Sequence, residues 1–79
     1  MAQHVTLYTT PTCGWCHAVK DYLHSRSIPF DEVDVAADQI RAREMVQKTG
    51  QYGVPVIDVD GEVVVGFDRP RLETLLKTP

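Results

Sequence analysis

The sequence predicts one small α/β domain with the order strand, helix, strand, helix, strand, strand, helix and a four-stranded mixed sheet. Three observations carry this prediction. Short apolar, β-branched runs alternate along the chain with stretches of helical periodicity. The first run, His4-Val5-Thr6-Leu7-Tyr8, passes through a short loop holding both cysteines into the first helical stretch. Asp60-Gly61 stands between two apolar runs as a tight hairpin turn. A strand–helix–strand start calls for a parallel pair joined by a right-handed crossover. The hairpin makes the last two strands antiparallel.

Val5, Leu7 and Thr9 alternate with Thr6 and Tyr8 in a run short enough to be buried on both faces. Pro11 ends it, and Thr10 or Thr12 can cap the following helix. That helix carries a stripe of Val19, Tyr22 and Leu23, with Trp15 a turn earlier, in which Tyr22 and Leu23 read as core. His17 and Lys20 read as solvated residues. Ser27-Ile28-Pro29 ends the helix, since the residue before proline avoids helical dihedrals. Phe30 to Val35 forms the second strand, its acidic residues suited to an exposed edge or a turn. Residues 37–49 favour helix, with Ile40 and Val46 as core candidates, Met45 off the stripe and Gly50 as the stop. In Gln51-Tyr52-Gly53-Val54-Pro55-Val56-Ile57 a proline enters an apolar run, which places it at a strand start or an edge. Asp68 suits the cap of a last helix whose apolar face is Leu72, Leu75 and Leu76.

Seventy-nine residues, 43% of them hydrophobic and 24% charged, make a single globular domain, residues 1–79. The formal net charge of −3, with lysines and arginines scattered, leaves no basic field for nucleic acid. No apolar run approaches the ~20 residues of a membrane span. Met1-Ala2-Gln3-His4 has neither the basic nor the apolar region of a secretory signal. Two cysteines in a reactive spacing without an export signal suit the reducing cytoplasm. A monomer is expected.

The chemistry centres on Thr9-Thr10-Pro11-Thr12-Cys13-Gly14-Trp15-Cys16-His17. Cys-x-x-Cys between a strand and a helix reads as a redox motif. The attacking species in disulfide exchange is a thiolate. A helix starting at about Cys13 would place that sulfur among unpaired backbone N–H groups at the positive end of the macrodipole. Cys16, a turn further on, meets less of that field. Cys13 is therefore the expected nucleophile and Cys16 the resolving thiol. Gly14 leaves the approach open, and Trp15 offers a flat apolar wall. Zinc would need about four ligands, and His4, His17 and His24 lack the paired spacing. A static disulfide across so short a loop stabilises little. Inert core cysteines fit poorly with a helix start.

Tyr8-Thr9 with Thr12-Cys13-Gly14-Trp15-Cys16-His17-Ala18-Val19-Lys20 resembles the active-site stretch of glutaredoxins and of the related NrdH-type redoxins. Gly53-Val54-Pro55-Val56-Ile57 resembles their cis-proline segment, and Val65-Gly66-Phe67-Asp68 the turn into their last helix. The three blocks keep the family's order over nearly the whole chain. The resemblance implies a thioredoxin-like fold and a dithiol–disulfide oxidoreductase that reduces protein disulfides or mixed disulfides. It implies a cis Val54–Pro55 bond, with the Val54 backbone pairing to substrate as an added strand. It adds Tyr8, Gly14, Trp15, Val54, Pro55, Gly66, Phe67 and Asp68 as substrate-binding residues, Asp68 doubling as the cap. No cofactor is tightly bound. Glutathione or another low-molecular-weight thiol can serve as co-substrate, and the electrons come from such a thiol or from a reductase. Many glutaredoxins carry cations at the positions of Thr10 and, approximately, Gln51, where they hold glutathione's carboxylates; their absence predicts weaker glutathione binding. The Gly66-Phe67 pair with Pro70 is similar to the turn of NrdH-type redoxins, which thioredoxin reductase recharges. Val65 replaces their serine there, and the order Asp68-Arg69-Pro70 differs. A metal or iron–sulfur carrier using Cys13 across a dimer is the alternative, against which Cys16 weighs. A redox-regulated binding module without turnover is another.

Overall fold

The first strand is apolar or β-branched throughout and buried along its whole length, so both faces of the sheet must be covered by helices. The structure, a computed structural model, describes residues 4–76. The readings made of Met1-Ala2-Gln3, and the two ends of the 1–79 domain, lie outside the described residues. Strand β1 (Val5–Thr9), helix α1 (Gly14–Ser25), strand β2 (Asp31–Asp34), helix α2 (Gln39–Thr49), strands β3 (Val56–Val59) and β4 (Glu62–Val65) and helix α3 (Arg69–Leu75) follow in the predicted order. The strands align as β2-β1-β3-β4. The β1–β2 pair is parallel; β1–β3 and β3–β4 are antiparallel. This is the thioredoxin-like arrangement.

The period of two along each strand divides the core. Val5, Leu7, Ile57, Val59 and Val64 pack with residues of α1 and α3. Tyr8, Val33 and Val56 pack with Met45 of α2. The acidic residues Asp31 and Glu32 are exposed on β2, an edge strand, as their charge suggested. Asp60 and Gly61 both take positive φ, 52° and 93°, as a two-residue hairpin twisted like its strands requires.

Helix α2 departs from expectation. It begins at Gln39 because Asp38 caps it, its Oδ1 accepting the Arg41 N–H at 3.1 Å. Ile40 is 79% exposed, whereas Met45 is fully buried. Val46 is half-buried. The apolar stripe misled because the face toward the sheet is largely polar. Lys48 Nζ donates to Asp58 Oδ2 at 2.6 Å and to the Tyr8 hydroxyl at 3.0 Å. Tyr8 in turn donates to Glu44 Oε2 at 2.6 Å, which also accepts from Arg41 Nε at 3.1 Å. Sheet polar groups are met by helix polar groups, and Met45 fills the apolar remainder. Met45→Ala should therefore cost about 2–4 kcal/mol in urea unfolding, while Ile40→Ala should stay within about 0.5 kcal/mol. Equal costs would refute this division of the helix.

The same network sets a pH limit. The hydrogen bond to Asp58, and after it that to Tyr8, pushes Lys48 up from 10.5 to about 12. A raised lysine contributes stability that is whole below pH 10.5 and lost as the pH climbs through about 12. Lys48→Met should thus flatten the alkaline limb of thermal unfolding; an unchanged limb would mean that Lys48 contributes none of it.

Candidate active site

The register brings three distant stretches of sequence to one end of the sheet. Tyr8 of β1 pairs with Val56 of β3, and Val56 with Val65 of β4. The loop after β1, the loop before β3 and the turn after β4 must therefore lie side by side. The first holds Cys13, the second Val54-Pro55, and the third Gly66-Phe67. The Pro55 carbonyl accepts the Gly66 N–H at 2.8 Å, joining the last two. The Val54–Pro55 bond is cis, as the resemblance implied. Gly66 stands at φ 80°, a conformation that glycine adopts freely.

Cys13 is itself the N-cap of α1, the place expected for Thr10 or Thr12. Its Sγ accepts the Cys16 N–H at 3.1 Å. Thr10 closes the turn before it, its carbonyl accepting the Cys13 N–H at 3.3 Å. A cap position wants an acceptor, and the Cys13 sulfur fills that role at the N-terminus of α1. Cys13 is partly open, whereas Cys16 is 1% exposed. Burial first, and then the hydrogen bond to Cys13, pushes the Cys16 thiol up to about 12. The pair is thus asymmetric: one accessible sulfur held as an acceptor, one shielded sulfur held as a thiol.

Trp15 shares the spacing of the α1 stripe without joining the core. It is 67% exposed, and Cys16 takes the buried place beside Val19, Tyr22 and Leu23. The Trp15 ring meets Phe67 at 6.3 Å between centroids. Phe67 in turn meets Tyr22 edge-on at 5.8 Å. Trp15, Val54, Pro55, Gly66 and Phe67 line an open groove of about 250 Å³. Nothing would crowd a Cβ at Gly14, which sits in open space. Among the described residues no hydrogen bond takes up the Val54 N–H or carbonyl, which leaves that backbone edge free for an extended ligand.

Two of the expected binding residues are otherwise engaged. Tyr8 is fully buried under α2, with its hydroxyl held by Glu44 and Lys48, so it supports the site from beneath and does not face the groove. The pleat turns it there, opposite its neighbour Leu7. Asp68 caps α3, its Oδ1 accepting the Arg71 N–H at 3.3 Å. His17 is exposed, as expected. Lys20 is half-buried rather than solvated, paired at 3.1 Å with Glu32, whose same oxygen accepts from Thr9. That pair was hidden from the sequence because it spans the crossover from α1 to β2. Among the described residues no three His, Cys, Asp or Glu side chains gather as a metal site, and no helix is long and apolar enough to cross a membrane.

Comparison with known proteins agrees with this geometry. The glutaredoxin family model matches residues 5–64. A glutaredoxin-like 8.6 kDa protein in the rubredoxin operon of Clostridium pasteurianum is 42% identical over 73 residues, 92% of this chain and 97% of that protein. Glutaredoxin 3 of Escherichia coli is 32% identical over 94% of this chain and 98% of its own length. Among solved structures, the glutaredoxin-like NrdH-redoxin of Escherichia coli, described as having a thioredoxin-like activity profile, superposes with a TM-score of 0.81 at 26% identity. That match covers 96% of this chain and 99% of the other.

Proposed function

We propose that this chain, which belongs to the glutaredoxin family, is a dithiol–disulfide oxidoreductase that reduces protein disulfides through Cys13 and Cys16. The observation that carries this reading is the division of labour between the two sulfurs: Cys13 accepts the helix N–H, and Cys16 is buried as a thiol. The Cys13 thiolate attacks one sulfur of a substrate disulfide. A Cys13–substrate disulfide forms, the substrate's S–S bond breaks, and the departing thiolate takes a proton from water. Cys16 then loses its proton and attacks the Cys13 sulfur. The Cys13–Cys16 disulfide forms, and the second substrate thiol leaves. Two electrons have passed from the dithiol to the substrate. Burial, the first cause of the raised Cys16 thiol, persists through the first step, but the hydrogen bond to Cys13, the second cause, is lost there, so ionisation of Cys16 becomes easier when it is needed. The substrate lies extended in the groove, its backbone against Val54.

The electron donor follows from charge. Thr10 is neutral, and Lys20 is held by Glu32. Glutathione's carboxylates would find weak partners here. A flavoprotein of the thioredoxin-reductase type fits the site better than glutathione or another small thiol. The protein acts as a monomer in the reducing cytoplasm, with no tightly bound cofactor.

NADPH consumption by the oxidised protein tests this in two parallel systems, thioredoxin reductase alone and glutathione with glutathione reductase. Faster turnover in the first is the expected result. Turnover in the second alone would overturn the assignment of the donor, and silence in both would overturn the enzyme reading.

A further inference from the structure

The reading just given needs the Val54 backbone to be held out toward substrate, and the structure contains a device for holding it. We propose that Gln51 is a positioning residue that clamps Gly53 and thereby fixes the segment presenting Val54. Gln51 Oε1 accepts the Gly53 N–H at 2.6 Å, and Gln51 Nε2 donates to the Gly53 carbonyl at 3.0 Å. One side-chain amide thus satisfies both backbone groups of one residue, as a neighbouring strand would. Gln51 is itself anchored. Thr49 Oγ1 accepts the Gln51 N–H at 3.3 Å and lies 2.8 Å from the Met45 carbonyl inside α2. On the other side of Val54, the Pro55 carbonyl is held by the Gly66 N–H. Val54 therefore sits between two fixed points, and its own backbone stays unpaired.

The residue types are those the device requires. The clamp needs a donor and an acceptor on one side chain; lysine and arginine have no acceptor, and ionised glutamate has no donor. A Cβ on Gly53 would lie 2.5 Å from Gln51 Oε1 and push the amide away. The consequence for specificity is direct. At the position where a cation was looked for, the side chain is turned onto its own loop, so recognition rests on backbone pairing and apolar contact rather than on a ligand's carboxylate.

The test uses the intact protein with insulin as the disulfide substrate, alongside hydrogen exchange at the Gly53 amide. Gln51→Ala should raise KM for insulin about three- to tenfold, the scale of losing two neutral hydrogen bonds. It should change kcat less than about twofold, because neither sulfur is touched. Gly53 exchange should quicken. Gly53→Ala should raise KM alike, and the double variant should be no worse than either single one, since both remove the same clamp. Unchanged Gly53 exchange in Gln51→Ala would overturn the clamp. Quickened exchange with an unchanged KM would overturn its positioning role, and fully additive effects would overturn the shared origin. Wild-type protein inert toward insulin would instead refute the oxidoreductase reading, and Gly53 exchange, which needs no turnover, would still decide the clamp.

Discussion

Cys13→Ser is expected to abolish disulfide reduction, down to the background of the assay, while leaving the fold intact. Serine supplies no thiolate, so the first bond to substrate cannot form. It is nonetheless a preferred N-cap residue, and its hydroxyl can take the Cys16 N–H that the Cys13 sulfur accepts at 3.1 Å. Loss of activity in this variant therefore reports chemistry and not a frayed helix. Cys13→Ala serves as the contrast: equally inactive, but less stable by about 1 kcal/mol because the cap is gone. The checks are insulin reduction, and urea unfolding of all three proteins in the reduced state. Retained activity in Cys13→Ser would move the nucleophile to Cys16, a residue with 1% exposure that could reach no protein disulfide without local unfolding.

Cys16→Ser is expected to stall the reaction half-way. Cys13 still attacks, but nothing releases the substrate, so a Cys13–substrate mixed disulfide should accumulate and survive non-reducing electrophoresis. Reduction of protein disulfides should fall to background, whereas exchange with glutathionylated substrates, which needs one sulfur, should be spared in this variant. The wild-type protein should show the complementary pH dependence. Burial is the first cause of the raised Cys16 thiol and persists in the mixed disulfide; the hydrogen bond to Cys13, the second, does not. A thiol whose ionisation is disfavoured releases substrate faster as the pH rises through neutrality, up to about tenfold per unit while the thiol form prevails. Rapid-quench measurement of mixed-disulfide decay checks this. A decay rate flat between pH 6 and about 8 would mean that Cys16 ionisation does not limit release.

Much of the fold was legible because its cues are local. Asp60-Gly61 wrote the hairpin, Gly50 and Asp68 marked helix ends, and the short apolar run of β1 suited a strand buried on both faces. The candidate active-site stretch was legible for the same reason: Cys13 and Cys16 are the two ends of one four-residue turn. What escaped was non-local. The polar inner face of α2 has no apolar periodicity to detect, because Arg41, Glu44 and Lys48 answer Tyr8 and Asp58 on strands distant in sequence. Tyr8 adjoins the motif in sequence yet faces α2, since the pleat turns it away from Leu7. Trp15 matched the helical stripe, but it is exposed, its ring set against Phe67 of the turn after β4.

The amino-acid sequence by itself determined the order of the elements and the unequal places of the two cysteines at a helix start, since spacing, turn chemistry and capping act within a few residues. The tertiary structure alone decided that Tyr8 is held by Glu44 of α2, that Lys20 pairs with Glu32, and that the groove is walled by residues from three distant stretches of sequence. Those outcomes depend on which groups the closed sheet brings within hydrogen-bonding distance, and no local rule sets that distance.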